Sequence, residues 1–170
     1  MPTMGYMSIK GKTQGEITKE ANTTTSVAGF YQEINPDTVQ VLRYESGLTV
    51  PTDPLSQQPA GQRQHLPVKV VALISKAWPL ICQATATGES CEIEVLLYRT
   101  NAAGQQENYG NIKYKDCVII GSEFGFSHVL MPDNKPLGHE HLITFTYAEV
   151  EWNHTSGGTA ASDNWRKPVG

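Results

Sequence analysis

Three histidines in the C-terminal third of the chain have the types and spacing closest to a metal site. His139 and His141 are two positions apart, so on a β-strand their side chains point to the same face, and His154 lies downstream. A histidine pair on one face with a third histidine can bind zinc. No carboxylate or cysteine stands at a spacing typical of a further ligand. We therefore predict that these histidines bind no metal and that the protein needs no cofactor.

The cysteines Cys82, Cys91 and Cys117 could supply a nucleophile, with a histidine as its base. Their number is odd, no two are close in sequence, and each lies in a stretch with the apolar pattern of a buried helix or strand. This usage is typical of reduced thiols buried as small apolar side chains rather than of a disulfide framework. A small hydrolase that uses a cysteine or a histidine-bound metal stays as an alternative hypothesis.

Serine and carboxylate motifs are also weak. The segment 121–125 has its glycines at the wrong offset for the Gly-x-Ser-x-Gly turn of a serine hydrolase. Glu92 with Glu94, and Glu149 with Glu151, each put two carboxylates on one face of a strand, as glycosidic chemistry requires. Such pairs are usually the solvated face of a strand. The residues by themselves therefore favour a protein that is not an enzyme.

Length and charge limit the remaining classes. The chain has 170 residues, which predicts a single domain over 1–170. A net charge of -4 with scattered lysines and arginines argues against a nucleic-acid partner. The longest apolar run is Val70–Ile74, far below the ~20 residues of a membrane span, so we expect no membrane insertion. The first ten residues lack the pattern of a cleaved signal peptide.

Alternating apolar residues predict strands that would position these groups. The strands expected from this pattern are Tyr6–Lys10, Val39–Glu45, Val68–Leu73, Cys91–Arg99, Tyr109–Ile120 and His141–Trp152, the last with a bulge near Ala148–Glu149. One helix is expected to begin at Pro79 and end at Gly88, with Leu80, Ile81 and Ala84 as its apolar stripe. Strands with regular turns and one helix predict a mainly β fold, a sandwich or a barrel.

A proline-rich stretch, Leu48–Pro67, separates two of these strands and predicts a long extended loop. Structureless connections of this length are uncommon unless they are functional or disordered. Disorder usually accompanies high net charge, yet this stretch carries only Asp53 and Arg63, of opposite sign. Its prolines lower the entropy lost on docking. We therefore expect it to contact another subunit.

Four blocks of sequence, in this order, resemble one family, the hemolysin-coregulated proteins of bacterial type VI secretion. The matching segments are Gly5–Gly11 with Gln14–Thr18, Gly61–His65 with Pro67, Tyr98–Glu107, and a C-terminal run of Phe145–Tyr147, Glu151, Trp152, His154, Gly158, Thr159, Ser162–Arg166 and Pro168. Together they cover nearly the whole chain.

The resemblance implies a small β-barrel of two packed sheets with one short α-helix. It also implies a homohexameric ring, stacked into the inner tube of the secretion machine, with the spike protein, the sheath and effector proteins as partners. Such a protein starts in the bacterial cytoplasm and is secreted without a cleaved signal peptide. Residues expected at subunit contacts are Leu48, Val50, Pro51, Leu55, Arg63, Gln64, His65 and Trp165. A carbohydrate-binding β-sandwich, suggested by three tryptophans and seven tyrosines, is the second alternative.

Overall fold

The computed structural model describes residues 4–134 and 138–167. Within these ranges the strands are β1 Gly5–Gly11, β2 Gly15–Glu16, β3 Val39–Glu45, β4 Leu48–Thr49, β5 Gln64–His65, β6 Val68–Leu73, β7 Ser90–Thr100, β8 Gln106–Gly125, β9 Glu140–Thr146, β10 Glu149–His154 and β11 Thr159–Asn164. The helices are α1 Thr24–Val27 and α2 Trp78–Thr87, and short 3-10 turns lie at Ala28–Phe30 and Pro132–Asn134. Pro168 of the C-terminal block lies outside the described residues.

One sheet closes on itself. Its strands run in the order β7, β1, β3, β6, β9, and the long strand β8 pairs with both β7 and β9. Along one edge β8 pairs with β7 from Gln106 to Val118; along the other edge Asn111–Lys115 pairs with β10 and Val118–Gly125 pairs with β9. The predicted mainly β fold is confirmed. The two sheets that the resemblance implies are continuous with each other in the described residues, as one sheet of nine strands, and β10 and β11 extend it beyond the ring.

The core lies inside this ring and follows the alternation read from the sequence. In β7, Cys91, Ile93 and Val95 are buried, and in β1 Met7 and Ile9 are buried. Burial of such side chains stabilises a fold by roughly 1.5–3 kcal/mol each, before the entropy of ordering the chain is counted. Most of the buried apolar residues in the described part of the chain form one contiguous cluster.

Strand β3 has the predicted bounds but not the predicted alternation. A bulge between Val41 and Arg43, opposite β6, shifts the pattern. Leu42, at the bulge, is 47% exposed, whereas Gln40, before it, is buried between buried valines. The Gln40 amide donates to the Asn22 side-chain oxygen at 2.9 Å and to the Phe30 carbonyl at 2.7 Å. These bonds offset the cost of burying a polar group.

Helix α2 begins one residue before the predicted start and packs against β8. Pro79 lies in its first turn, and Gly88 ends it with φ +68, in the left-handed conformation that glycine adopts without strain. Ile81 and Ala84 are buried as expected, but Leu80 is exposed, which corrects its place in the apolar stripe. Neither α2 nor any other helix in the described part of the chain has both the length and the apolar character of a membrane span.

The strands from β8 onward differ from the prediction in three ways. The single long strand expected over His141–Trp152 is divided into β9 and β10, because the chain turns at Tyr147 and Ala148. Val150 is nevertheless buried, so the predicted change of phase occurs at this break. β8 is longer at both ends than Tyr109–Ile120, and β11 was not expected as a strand.

Candidate functional site, an arm anchored at its base

The segment 48–67, which we call the arm, is not the structureless loop that its prolines predict. β4 pairs antiparallel with β5, with Leu48 opposite His65 and Thr49 opposite Gln64. Farther out, Thr52 and Pro59 form an isolated antiparallel bridge, and the Ala60 N–H donates to the Pro51 carbonyl at 2.7 Å. The arm is therefore a narrow two-stranded projection whose backbone groups largely bond to one another.

Arg63 fixes the base of the arm to the C-terminal strand. Its Nε is 2.6 Å from Oδ2 of Asp163 and its Nη2 is 2.9 Å from Oδ1, so the pairing is bidentate. The same Nη2 donates to the carbonyls of Asn164 at 3.0 Å and Lys167 at 3.1 Å. A planar guanidinium is suited to this two-oxygen contact, which fixes direction as well as distance.

His65 continues the network into the interior, where its side chain is only 1% exposed. Its Nε2 lies 2.7 Å from Oδ2 of Asp163, and its Nδ1 lies 2.6 Å from the Tyr147 hydroxyl. Because a carboxylate only accepts, Nε2 carries a proton and donates to it, and in the neutral imidazole Nδ1 then accepts from the tyrosine hydroxyl. The imidazole also stacks against Trp152 and Trp165, with centroid distances of 6.5 and 6.2 Å.

Charge and burial around Asp163 and Tyr147 favour the protonation states that the hydrogen bonds at the base of the arm require. Arg63 first, and His65 second, hold the pKa of the Asp163 carboxyl below its usual value. Burial raises the pKa of Tyr147 to about 12, so its hydroxyl keeps its proton and can donate to His65. The indole N–H of Trp165 donates to the Tyr147 carbonyl. We name these five side chains the base cluster: Arg63, His65, Tyr147, Asp163 and Trp165.

The outer end of the arm, residues 53–58, is closed by its own bonds. The Asp53 N–H donates to the Gln58 carbonyl and the Gln57 N–H to the Asp53 carbonyl, both at 2.8 Å. The Asp53 carboxylate accepts from the Leu55 N–H at 2.8 Å. Leu55 itself is 96% exposed. This tip presents an apolar side chain to solvent on a turn that is already ordered.

The eight residues predicted at subunit contacts thus fall into two groups. Arg63, His65 and Trp165 meet in the base cluster and bond within their own chain. The others lie along the arm: Leu48, Val50 and Leu55 with largely exposed side chains, Pro51 half-buried, and Gln64 exposed. The sequence analysis missed Asp163 and Tyr147 as partners of the arm. Both stand in the C-terminal block that carries the family resemblance, but nothing local links them to residues about a hundred positions away.

The candidate metal ligands do not come together. His141 in β9 is paired with Phe124 near one end of β8, whereas Asn153, next to His154, is paired with Asn111 near the other end. Burial lowers the pKa of His141 to about 4, and its Nε2 lies within hydrogen-bond distance of the Ser122 hydroxyl, at 2.5 Å. Among residues 4–134 and 138–167, no group of three or more histidines, cysteines or carboxylates is placed to hold an ion.

The tryptophans that suggested carbohydrate binding are separated too. Trp152 and Trp165 flank His65 in the arm base, while Trp78 at the start of α2 stacks on Phe124 with a centroid distance of 5.0 Å. Two of the three indoles are therefore used to hold the arm. They do not form a shared aromatic platform with the third.

Comparison with known proteins agrees with this architecture. The sequence model of a family described as "Type VI secretion system effector, Hcp" matches residues 6–154. The chain belongs to this Hcp family. The Major exported protein of Pseudomonas aeruginosa is 40% identical to it over 170 residues, 99% of each chain. The family resemblance, and with it the type VI secretion tube class, is confirmed.

Solved structures extend the match to three dimensions. A crystal structure of an Hcp protein superposes with a TM-score of 0.94 at 30% identity, covering 98% of this chain and 100% of the other. The secreted protein Hcp3 from Pseudomonas aeruginosa gives a TM-score of 0.82 at 34% identity over the same shares. The arm and the closed sheet therefore belong to a fold that Hcp-family chains share.

Proposed function

We propose that this chain is a structural subunit of the type VI inner tube, in which six copies close into a ring and rings stack end to end. The observation that carries the proposal is the arm, whose base is bonded to its own chain and whose tip exposes Leu55. An arm that is already ordered loses little conformational entropy when it meets a neighbouring copy. We assign the tip to the contact between stacked rings.

The chemistry of the arm supports this role. Backbone groups of the tip form hydrogen bonds with one another, so docking does not bury these groups without partners. Leu48, Val50 and Leu55 offer exposed apolar surface with few charges to desolvate. A contact that joins two different faces of identical copies repeats without limit when it does not close, which is how rings become a tube.

The wider role follows from the family. We propose that the whole of 1–170 acts as one domain, that the tube travels from the bacterial cytoplasm to the exterior, and that the spike protein, the sheath and effector proteins are its partners. We also propose that the chain is not an enzyme. The separation of His154 from His139 and His141, and the use of His65 in anchoring the arm, support this.

The role of the tip in stacking is tested with two variants, each of which introduces one carboxylate, at positions three residues apart in the same turn. Leu55→Asp puts a carboxylate at the apolar contact, and Gln58→Asp puts the same charge in the same turn, at an exposed side chain that forms no hydrogen bond with the described residues. We expect Leu55→Asp to form rings but no tubes by electron microscopy, while Gln58→Asp forms both. If Leu55→Asp forms tubes at the protein concentration at which the wild-type protein does, the tip is not part of the stacking contact.

Ring formation is tested separately by native mass spectrometry. We expect the wild-type protein and both variants to give hexamers, because the substituted side chains lie on the exposed arm and not in the core. A spectrum with monomers alone, at concentrations up to tens of micromolar, would contradict the ring for this chain.

A further inference from the structure

Two of the three cysteines, far apart in sequence, lie directly opposite each other in the sheet. Cys91 near the start of β7 is the antiparallel partner of Cys117 in β8. Both are free thiols, both are buried, and both belong to the same apolar core cluster. Cys82 is elsewhere, on α2, half-buried and 3.4 Å from the Ser122 hydroxyl. The structure therefore contains one facing pair and one separate thiol.

The spacing of this pair suits a covalent bond. Directly opposed residues of an antiparallel ladder have Cα atoms roughly 4.5–5.5 Å apart. Disulfides span Cα separations of roughly 4.4–6.8 Å. In the reduced protein the Cys91 thiol donates a weak hydrogen bond to the Glu89 carbonyl oxygen at 3.5 Å, and this bond is lost when the disulfide forms. A bulge between Cys91 and Ile93, with Asp116 at φ +51, lies beside the pair and gives the backbone local room to adjust.

We propose that Cys91 and Cys117 form a cross-strand dithiol that becomes an intrachain disulfide once the protein has left a reducing compartment. The change of compartment rests on the export proposed above. The oxidant is a low-molecular-weight disulfide of the glutathione type, which reaches these two buried thiols when the β7–β8 pairing opens locally. One cysteine thiolate attacks it and releases one small thiol, and the second cysteine thiolate then attacks the mixed disulfide and releases the other. The two cysteines lose two electrons and two protons, and the oxidant is reduced to two thiols.

The reducing compartment keeps the pair as thiols until then, and burial makes their exchange slow in the folded protein. Desolvation, reinforced by the nearby Glu89 carboxylate, raises the pKa of Cys91 to about 11, and desolvation also raises the pKa of Cys117. Thiolate, the attacking species, is therefore scarce at neutral pH, and exchange is slow. Once formed, the bond would tie β7 to β8 and close the chain around the turn at Asn101–Gly104. A cross-link of this kind restricts the unfolded chain.

The experiment uses the Cys82→Ala variant, which keeps only the facing pair. The folded protein is incubated with oxidised glutathione at pH 8.5, then denatured and treated with a thiol-alkylating reagent. We expect no alkylation, a mass lower by two hydrogens, and a peptide linking Cys91 to Cys117. The melting temperature should rise by ~5–10 °C, and a reductant should reverse the rise.

The matched control is Cys82→Ala combined with Cys117→Ser, or with Cys91→Ser if the first fails to fold. Its melting temperature should not respond to the oxidant. Two alkylated cysteines in Cys82→Ala after prolonged oxidation, or a mass increased by bound glutathione alone, would overturn the proposal. This assay needs neither rings nor export, so its failure is distinct from a failure of the tube function.

Discussion

The base and the tip of the arm belong to one segment of 20 residues but differ in what they bond to. At the base, Arg63 and His65 share the Asp163 carboxylate, and His65 is almost fully enclosed. At the tip, the bonds run only between residues 53 and 58, and Leu55 is open to solvent. The arm is therefore fixed to its own chain at the base, while the exposed side chain at its tip is still available to contact another chain.

Removing the tip should have the largest effect, and on assembly alone. Thr52 and Pro59 are already paired, so replacing residues 53–58 with Asn-Gly leaves a two-residue hairpin turn between them. The free energy of unfolding should change by less than ~1 kcal/mol, because the closed loop is short either way. Tubes should be absent by electron microscopy while hexamers persist by native mass spectrometry. Wild-type tubes from this variant would make the tip a mere connector.

Truncating a buried side chain of the base should instead affect stability. His65→Ala removes two hydrogen bonds and leaves a space between two indoles, so we expect a loss of ~2–4 kcal/mol in the free energy of unfolding. Equilibrium urea unfolding at fixed protein concentration measures it. Leu55→Ala, at the exposed tip, is the matched control and should stay within ~0.5 kcal/mol. Equal losses in the free energy of unfolding of the two variants would contradict the difference proposed between the base and the tip.

A smaller effect is expected from a single donor of the base. Trp165→Phe keeps a ring beside His65 but removes the indole N–H that donates to the Tyr147 carbonyl. We expect a loss of ~1 kcal/mol in the free energy of unfolding by urea titration. Trp78→Phe, whose indole stacks on Phe124 far from the arm, supplies the comparison. A loss no larger than in that control would show that the hydrogen bond contributes nothing measurable.

The smallest expected effect is a pH dependence of the stability that Asp163 contributes. Because Arg63 lowers the pKa of Asp163 in the folded protein, the stabilisation from this carboxylate is complete above its ordinary pKa, ~3.9. It is lost as the pH falls through the lower, folded pKa. The difference in urea midpoint between wild type and Asp163→Asn should therefore be smaller at pH 2.5 than at pH 5, and it should shrink below about pH 4. A difference that persists unchanged at pH 2.5 would contradict this account of the base.

Local pattern was sufficient for several elements. β3 and β6 have the predicted bounds, and β1, β7 and α2 are within a residue or two, because side-chain alternation and a proline-to-glycine span depend on neighbours in sequence. The bulge in β3 was not predictable in this way. It depends on how β3 meets β6, a strand that follows about twenty residues later.

The candidate site was predicted only in part. The proline-rich composition of 48–67 predicted a subunit contact, which stays a prediction, and it suggested a loop where the structure has a pair of short strands. Arg63, His65 and Trp165 were grouped with the exposed residues of the arm, since nothing in their own neighbourhood shows that Asp163 and Tyr147 are within reach. A bidentate ion pair between positions a hundred residues apart has no sequence signature.

The sequence by itself determined the mainly β class, the position of the helix and, through four ordered blocks, the family. These are properties of short windows, where alternation and turn residues act over a few positions. Only the tertiary structure decided that β8 closes the sheet, that Cys91 faces Cys117, and that the arm is fixed at one end and free at the other. Each of these depends on pairing between distant segments, where the contact is chosen by the packing of the whole chain and not by the residues beside it.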